Sequence, residues 1–99
     1  MLYAILAEDK ENSLAERLEH RLEHRDRLQE MHESGKLVFA GPHPAVDAED
    51  PGEAGFSGSL IIAEFASLED ATIWAESDIY ATAGVFSKVS VKPLKKVFP

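Results

Sequence analysis

The chain has 99 residues, enough for one domain with a modest core, and its 44% hydrophobic and 28% charged residues are an ordinary globular balance. It contains no cysteine, which excludes a disulfide framework, a thiol nucleophile and a thiolate metal site. The formal net charge of −8 repels phosphate backbones and argues against a nucleic-acid partner; with no apolar run near the ~18 residues of a membrane span and no signal-peptide layout, a cytoplasmic protein without membrane contact is expected.

Residues 2–8, LYAILAE, are apolar with aromatic and branched members and predict a strand, followed by a turn at 9–12, DKEN. Ser13 and Glu16 have the spacing of a capping box, in which each side chain satisfies a backbone N–H at a helix start. Helix is predicted from there to about Ser34, with Gly35 as its left-handed stop. Leu14, Leu18 and Leu22 step by four, whereas Leu28 and Met31 continue on a shifted phase, and Arg17, Arg21, His24 and Arg25 fall between them. An ordinary core stripe does not mix leucines with arginines and a histidine, so the pattern predicts two helices, one ending near Glu19 or His20 and one starting near Glu23.

KLVFAG at 36–41 predicts the second strand, closed by Pro42 and Pro44, which lack ladder donors. Residues 45–58 read as a polar, acidic loop, and 57–65 as the third strand. Ser67 predicts the next helix cap, with Asp70 at the third helical position and Ala71, Trp74 and Ala75 along its length. A short helical segment over Ile79 to Ala83 precedes Gly84, and the last strand runs over 87–94, where Val89 and Val91 alternate with Ser90 and Lys92. The basic cluster Lys92, Lys95 and Lys96 reads as a solvated strand face.

The order β-α-β, long loop, β-α-β predicts a single α+β domain over residues 1–99 of the ferredoxin-like split βαβ plan. That plan is a four-stranded antiparallel sheet with helices on one face. The other face of such a sheet needs cover, and a second copy packed sheet to sheet would supply it, so a homodimer is expected.

His24 is the first candidate for chemistry. It lies four residues before Leu28 and seven before Met31, a semi-buried place where a ring nitrogen needs a partner. A backbone carbonyl would make it a structural histidine. A carboxylate would fix its tautomer and prepare the other nitrogen as a general base, and Asp78, at the junction after the second helix, is the candidate. Arg17, Arg21 and Arg25 lie near it and could hold an anionic substrate through paired hydrogen bonds; for Arg25, pairing with one of the many acidic residues is the expectation.

His20 and His24 also have the i,i+4 spacing that can place two nitrogens on one metal, within an H-x-x-E-H string with Glu23. A peptidase of that kind needs far more chain, so no metal and no other cofactor is expected. No nucleophile elbow, phosphate loop or dinucleotide fingerprint is present. Trp74, Phe65 and Phe86 read as core, and His32 and His43 as a helix-end and a turn residue.

The segments LYAILAEDKENSLAERL, GKLVFAGPHPAVDAEDPGEAGFSGSLIIAEF and AGVFSKVSVKPLKKVF together resemble the YciI-like, or YCII-related, family over essentially the whole chain. The resemblance implies a ferredoxin-like fold that pairs into a dimer, similar to muconolactone isomerases and other dimeric α/β-barrel proteins. It also implies an active site built on a His–Asp dyad, here His24 in R-L-E-H-R and Asp78 in S-D-I-Y. One relative is a dehydrochlorinase of a chlorinated hydroxyquinol. Two positions depart from the family: Arg25 stands where an aliphatic residue is usual, and Ile79 where proline commonly follows the aspartate, which would leave Asp78 more mobile.

Two functions follow as expectations. In one, a small-molecule enzyme uses His24 as general base and Asp78 as its orienting partner in an elimination, dehydrochlorination or isomerisation of a cyclic or aromatic acid. Arg17 or Arg21 would hold the anionic group, with Tyr80 and the Gly41-Pro42 turn lining the cleft. In the other, the chain is a non-catalytic ligand-binding or interaction module whose His–Asp pair is structural; a metal-dependent site on His20 and His24 is a third, weaker option.

Overall fold

In the computed structural model, which describes all 99 residues, the elements are β1 (Leu2–Asp9), α1 (Leu14–Glu33), β2 (Leu37–Pro44), β3 (Phe56–Glu64), α2 (Leu68–Glu76), α3 (Ile79–Thr82) and β4 (Phe86–Leu94). The strands pair antiparallel in the order β2-β3-β1-β4. With the helices on one face this is the ferredoxin-like α+β plan expected from the element order.

Strand alternation decides what the helices meet. Tyr3, Ile5 and Ala7 of β1 face the helices, opposite Ala63, Ile61 and Ser59 of β3. On the other side they pair with Pro93, Val91 and Val89 of β4. Ala71 and Ala75 give α2 a small-residue underside that lets it lie close to this surface, and Ala75 packs with Ile5 and Ile61. Tyr80, Val85 and Phe86 form a second core cluster against Ala7. The candidate chemistry lies above both, where α1 crosses the sheet.

Two local signals behave as expected. Ser67 Oγ accepts from the Asp70 N–H at 3.0 Å and caps α2. Gly35 has φ +75°, the left-handed conformation that closes α1, and Lys36 N donates to the Met31 carbonyl across it. At the other end of α1, Ser13 makes no side-chain cap hydrogen bond, so the predicted capping box is not formed; its backbone (φ −98°, ψ 8°) is not in the extended conformation the box needs.

Two further expectations are corrected. Residues 14–33 form one unbroken helix, not two. Its buried residues are Arg17, His24 and Met31, while Leu18 and Leu22 are 56% and 73% exposed. The spacing of seven brings Arg17, His24 and Met31 back to one side every second turn, so a polar sheet-facing side needs no bend once its polar atoms have partners. Strand β2 also continues through Pro42 to Pro44 rather than ending at Gly41. It is the edge strand, where the missing proline N–H removes no ladder bond.

Gly58 is the place where the sheet tolerates no side chain. It is buried on β3 opposite Glu8, and a Cβ there would overlap the Ala7 carbonyl oxygen. Gly58→Ala is therefore expected to lower folding stability by about 1–3 kcal/mol by forcing β1 and β3 apart. Urea unfolding measures this; an unchanged midpoint would mean the strands separate there without cost.

The sheet face away from the helices carries Ala4, Leu6, Phe39, Leu60 and Ile62, with Leu6 41% and Phe39 51% exposed. No helix is long and apolar enough to cross a membrane.

Candidate active site

Three elements supply the site. Helix α1 presents Arg17 and His24 toward the sheet, β3 brings Ser59 beneath them, and the α2–α3 junction brings Asp78 and Tyr80 from the side. Asp78 is the cap residue of α3: its backbone is extended (φ −63°, ψ 143°) and its Oδ1 accepts from the Tyr80 N–H at 2.9 Å. That cap turns the carboxylate back toward α1.

His24 and Asp78, 54 residues apart in sequence, meet in a buried contact. His24 Nδ1 lies 2.9 Å from Oδ1 and 3.0 Å from Oδ2 of Asp78. An ionised carboxylate only accepts hydrogen bonds, so Nδ1 carries a proton, and Nε2 is the nitrogen that bears the lone pair whenever the ring is neutral. Nε2 has no hydrogen-bond partner in the protein, yet no buried side-chain nitrogen or oxygen is unpartnered, so Nε2 faces open space. The imidazole also stacks on the Tyr80 ring, with centroids 4.1 Å apart and planes 15° from parallel. Hydrogen bond and stacking together hold the ring in one orientation.

The open space is a cavity of about 290 Å³. Arg17, Arg21, His24 and Arg25 line it from α1, and Tyr80 and Ser59 from below. Ala40, Gly41 and Pro42 close the side toward β2, as expected for the Gly41-Pro42 stretch, and no carboxylate lines the cavity.

Electrostatics keep Asp78 ionised. Burial by itself pushes its carboxyl pKa up, but the His24 hydrogen bond and charge, the Tyr80 N–H and the Arg27 guanidinium outweigh burial and hold it below the usual carboxylate range. Tyr80 moves the other way: burial is the main cause, and the charges of Asp78 and Asp9 add to it against Arg17 and Arg21. Its phenol stays protonated at neutral pH and donates to the Arg17 carbonyl at 3.1 Å.

The arginines do not divide as their sequence neighbours suggest. Arg17 is the paired one: its Nε donates to Asp9 Oδ2 at 2.8 Å, and its Nη2 to Asp9, Gly58 O and Ser59 Oγ. Its Nη1 has no hydrogen-bond partner, and the Arg17 side chain lines the cavity. Arg25, expected to pair with an acidic residue, makes no ion pair and lines the cavity; Arg21 does the same. Both are exposed on α1, and no acidic residue stands three or four positions from either along the helix.

Arg27 was not singled out by its sequence context, and it completes the Asp78 site. Its Nη1 donates to Asp78 Oδ2 at 3.1 Å, its Nη2 to the Trp74 carbonyl at 3.0 Å and to Ser77 Oγ at 3.2 Å, and its guanidinium lies 4.4 Å from the Trp74 ring centroid. Its one available signal is position, three residues beyond His24 and so one turn along the same side of α1. These bonds also answer the expectation that Ile79 leaves Asp78 mobile: the aspartate is 2% exposed and held through its own carboxylate by three partners.

His20 is separate from this group. Its nearest carboxylate is Glu19, at 4.0 Å, and no three His, Asp or Glu side chains are grouped to hold a metal ion.

The YCII-related domain family matches residues 1–95. A protein called YciI from Escherichia coli O6:H1 is 59% identical over 98 residues, covering 99% of this chain and 100% of the relative. An uncharacterized protein from Haemophilus influenzae is 49% identical over the same shares of both chains. Among solved structures, 5-chloro-2-hydroxyhydroquinone dehydrochlorinase from Burkholderia phenoliruptrix AC1100, in complex with 2,5-dihydroxybenzoquinone, superposes with a TM-score of 0.83. It is 25% identical, and the match covers 96% of this chain and 94% of that one.

Proposed function

The chain belongs to the YCII-related domain family, and from that premise we propose that it is a small-molecule enzyme in which His24 is the general base and Asp78 its orienting partner. The observation that carries this reading is His24 Nε2: its ring is fixed through Nδ1 by an ionised carboxylate, and its free nitrogen opens into a ligand-sized recess with three arginines. Nε2 takes a proton from the bound molecule. The electron pair left behind forms a new double bond as a leaving group departs from the ring, or the proton returns at another atom to give an isomer. Arg17 Nη1 and the Arg21 guanidinium stabilise the negative charge that develops on ring oxygens or an acid group. The Tyr80 ring is the platform against which the imidazole is held.

The similarity to a dehydrochlorinase that binds a dihydroxybenzoquinone supports a cyclic, acidic, oxygen-bearing substrate. The test uses that chemistry: the purified protein is incubated with 5-chloro-2-hydroxyhydroquinone while chloride release is followed, and 2,5-dihydroxybenzoquinone is titrated by its visible absorbance. Turnover, or saturable binding that perturbs the His24 ring, supports the reading. Neither turnover nor binding would remove this class of substrate.

In this reading the protein works in the cytoplasm as a homodimer. The apolar sheet face with Leu6, Phe39, Leu60 and Ile62 supports a second copy packed there. Sedimentation is expected to give twice the chain mass at micromolar concentration, and a monomer throughout that range would contradict the dimer. A second reading, a binding module with a structural His–Asp pair, is favoured by Arg27, because the same carboxylate ties α1 to the α2–α3 junction. The two separate on the His24 substitution treated below.

A further inference from the structure

On the reading that the His24 cavity is a ligand site, we infer that its ligand carries two acidic groups, one met at the floor by Arg17 and the other at the rim by Arg21 and Arg25.

The floor and the rim are chemically different. Arg17 is 6% exposed, and its charge is balanced by Asp9, so what it offers the cavity is the directed N–H edge of Nη1. Arg21 and Arg25 are exposed and make no ion pair. They stand four residues apart on α1, one turn along the same side, so their stems are about 6 Å apart along the helix axis. Like charges at that spacing repel one another. The chain has 18 acidic residues against 10 basic ones, yet none of those acids lines the cavity or approaches either guanidinium within ion-pair distance.

An uncompensated pair of cations at the mouth, behind which a third arginine already serves one acid group, is complementary to a second anionic group. The size of the cavity limits the frame that joins the two. At about 290 Å³ it lies just below the usual range of ligand pockets, which begins near 300 Å³, and suits one ring or a short chain rather than a fused or nucleotide frame. Leu28 and Ile61, which also line it, provide the apolar contact such a frame needs.

A matched pair of probes tests this. Benzoate and benzene-1,3-dicarboxylate are titrated into the protein and followed by calorimetry and by NMR shifts of the His24 ring and the arginine Nε–H groups. The dicarboxylate is expected to bind about tenfold tighter than benzoate, near the smallest contribution of a charge-assisted hydrogen bond. Arg25→Gln is expected to remove most of that preference while leaving benzoate affinity within about twofold, and added salt to shrink it. Equal affinities with His24 shifts from both probes would overturn the two-acid inference and leave the ligand site standing, as would a preference that survives Arg25→Gln and Arg21→Gln. Binding by neither probe at millimolar concentration would overturn both.

Discussion

Asp78→Ala is expected to lower folding stability by about 3 kcal/mol. The carboxylate is 2% exposed and serves three donors on two elements: His24 Nδ1, Arg27 Nη1 and its own helix cap, the Tyr80 N–H. Alanine removes all three bonds and leaves the imidazole N–H and a backbone N–H buried without partners. Arg27, which is 25% exposed in its side chain, can regain water, which keeps the expected cost at the lower end of the range for a broken buried pair.

The same carboxylate gives stability a pH dependence of defined sign. Burial works against its ionisation, but His24, Tyr80 and Arg27 prevail, so its pKa in the folded protein lies below the unfolded value of about 3.9. The unfolded chain therefore takes up the proton first as pH falls. The contribution of Asp78 is complete above about pH 5 and declines through pH 4 toward the folded pKa. Urea midpoints of the wild-type protein are expected to fall over that interval, and those of Asp78→Asn, which has no carboxyl to titrate there, to fall less. Equal acid slopes in the two proteins, or an unchanged midpoint in Asp78→Ala, would show that the contact carries little weight.

The second large effect is on chemistry. With a turned-over ring substrate, His24→Asn is expected to lower kcat by about 10²- to 10⁴-fold, the usual contribution of a positioned general base. Asparagine retains a side-chain N–H that can reach Asp78, so the fold is expected to survive, and Arg17, Arg21 and Arg25 still line the recess. Binding of 2,5-dihydroxybenzoquinone is therefore expected to change only severalfold. A loss in kcat with little change in affinity is what separates a base from a structural residue. Turnover that persists in His24→Asn, with stability alone reduced, would make the His24–Asp78 contact a helix clamp and favour the binding-module reading.

Features with short-range causes were legible in the sequence. Ser67 and Asp70 are three residues apart, and their cap forms as expected; Gly35 adopts the left-handed conformation for which it is suited; Val89 and Val91 alternate as a strand with one side toward the helices. Element order alone leads to the split βαβ plan, because short connections and layer packing leave few other arrangements. The pairing of His24 with Asp78 was a candidate from their places on a helix face and at a helix junction and was implied by the resemblance to a family; no local pattern contains it.

The rest depended on which side of α1 faces the sheet. A helical wheel gives the period of three to four residues, but leucines at 14, 18 and 22 and arginines at 17, 21 and 25 compete for the inward side, and hydrophobicity favours the leucines. The folded chain turns Leu18 and Leu22 outward because Asp9 and Ser59 await Arg17, and Asp78 awaits His24, each from a different element. Those partners are 8, 42 and 54 residues away, and Arg27 meets Asp78 across 51. What the sequence determined by itself was the order of strands and helices and the ends set by Ser67 and Gly35, since those rest on neighbours within one or two turns; the Ser13 box and the break in α1 did not follow from the same local signals. Only the tertiary structure decided which polar residues go inside, because burying a charge is favourable only where another element delivers its counterpart.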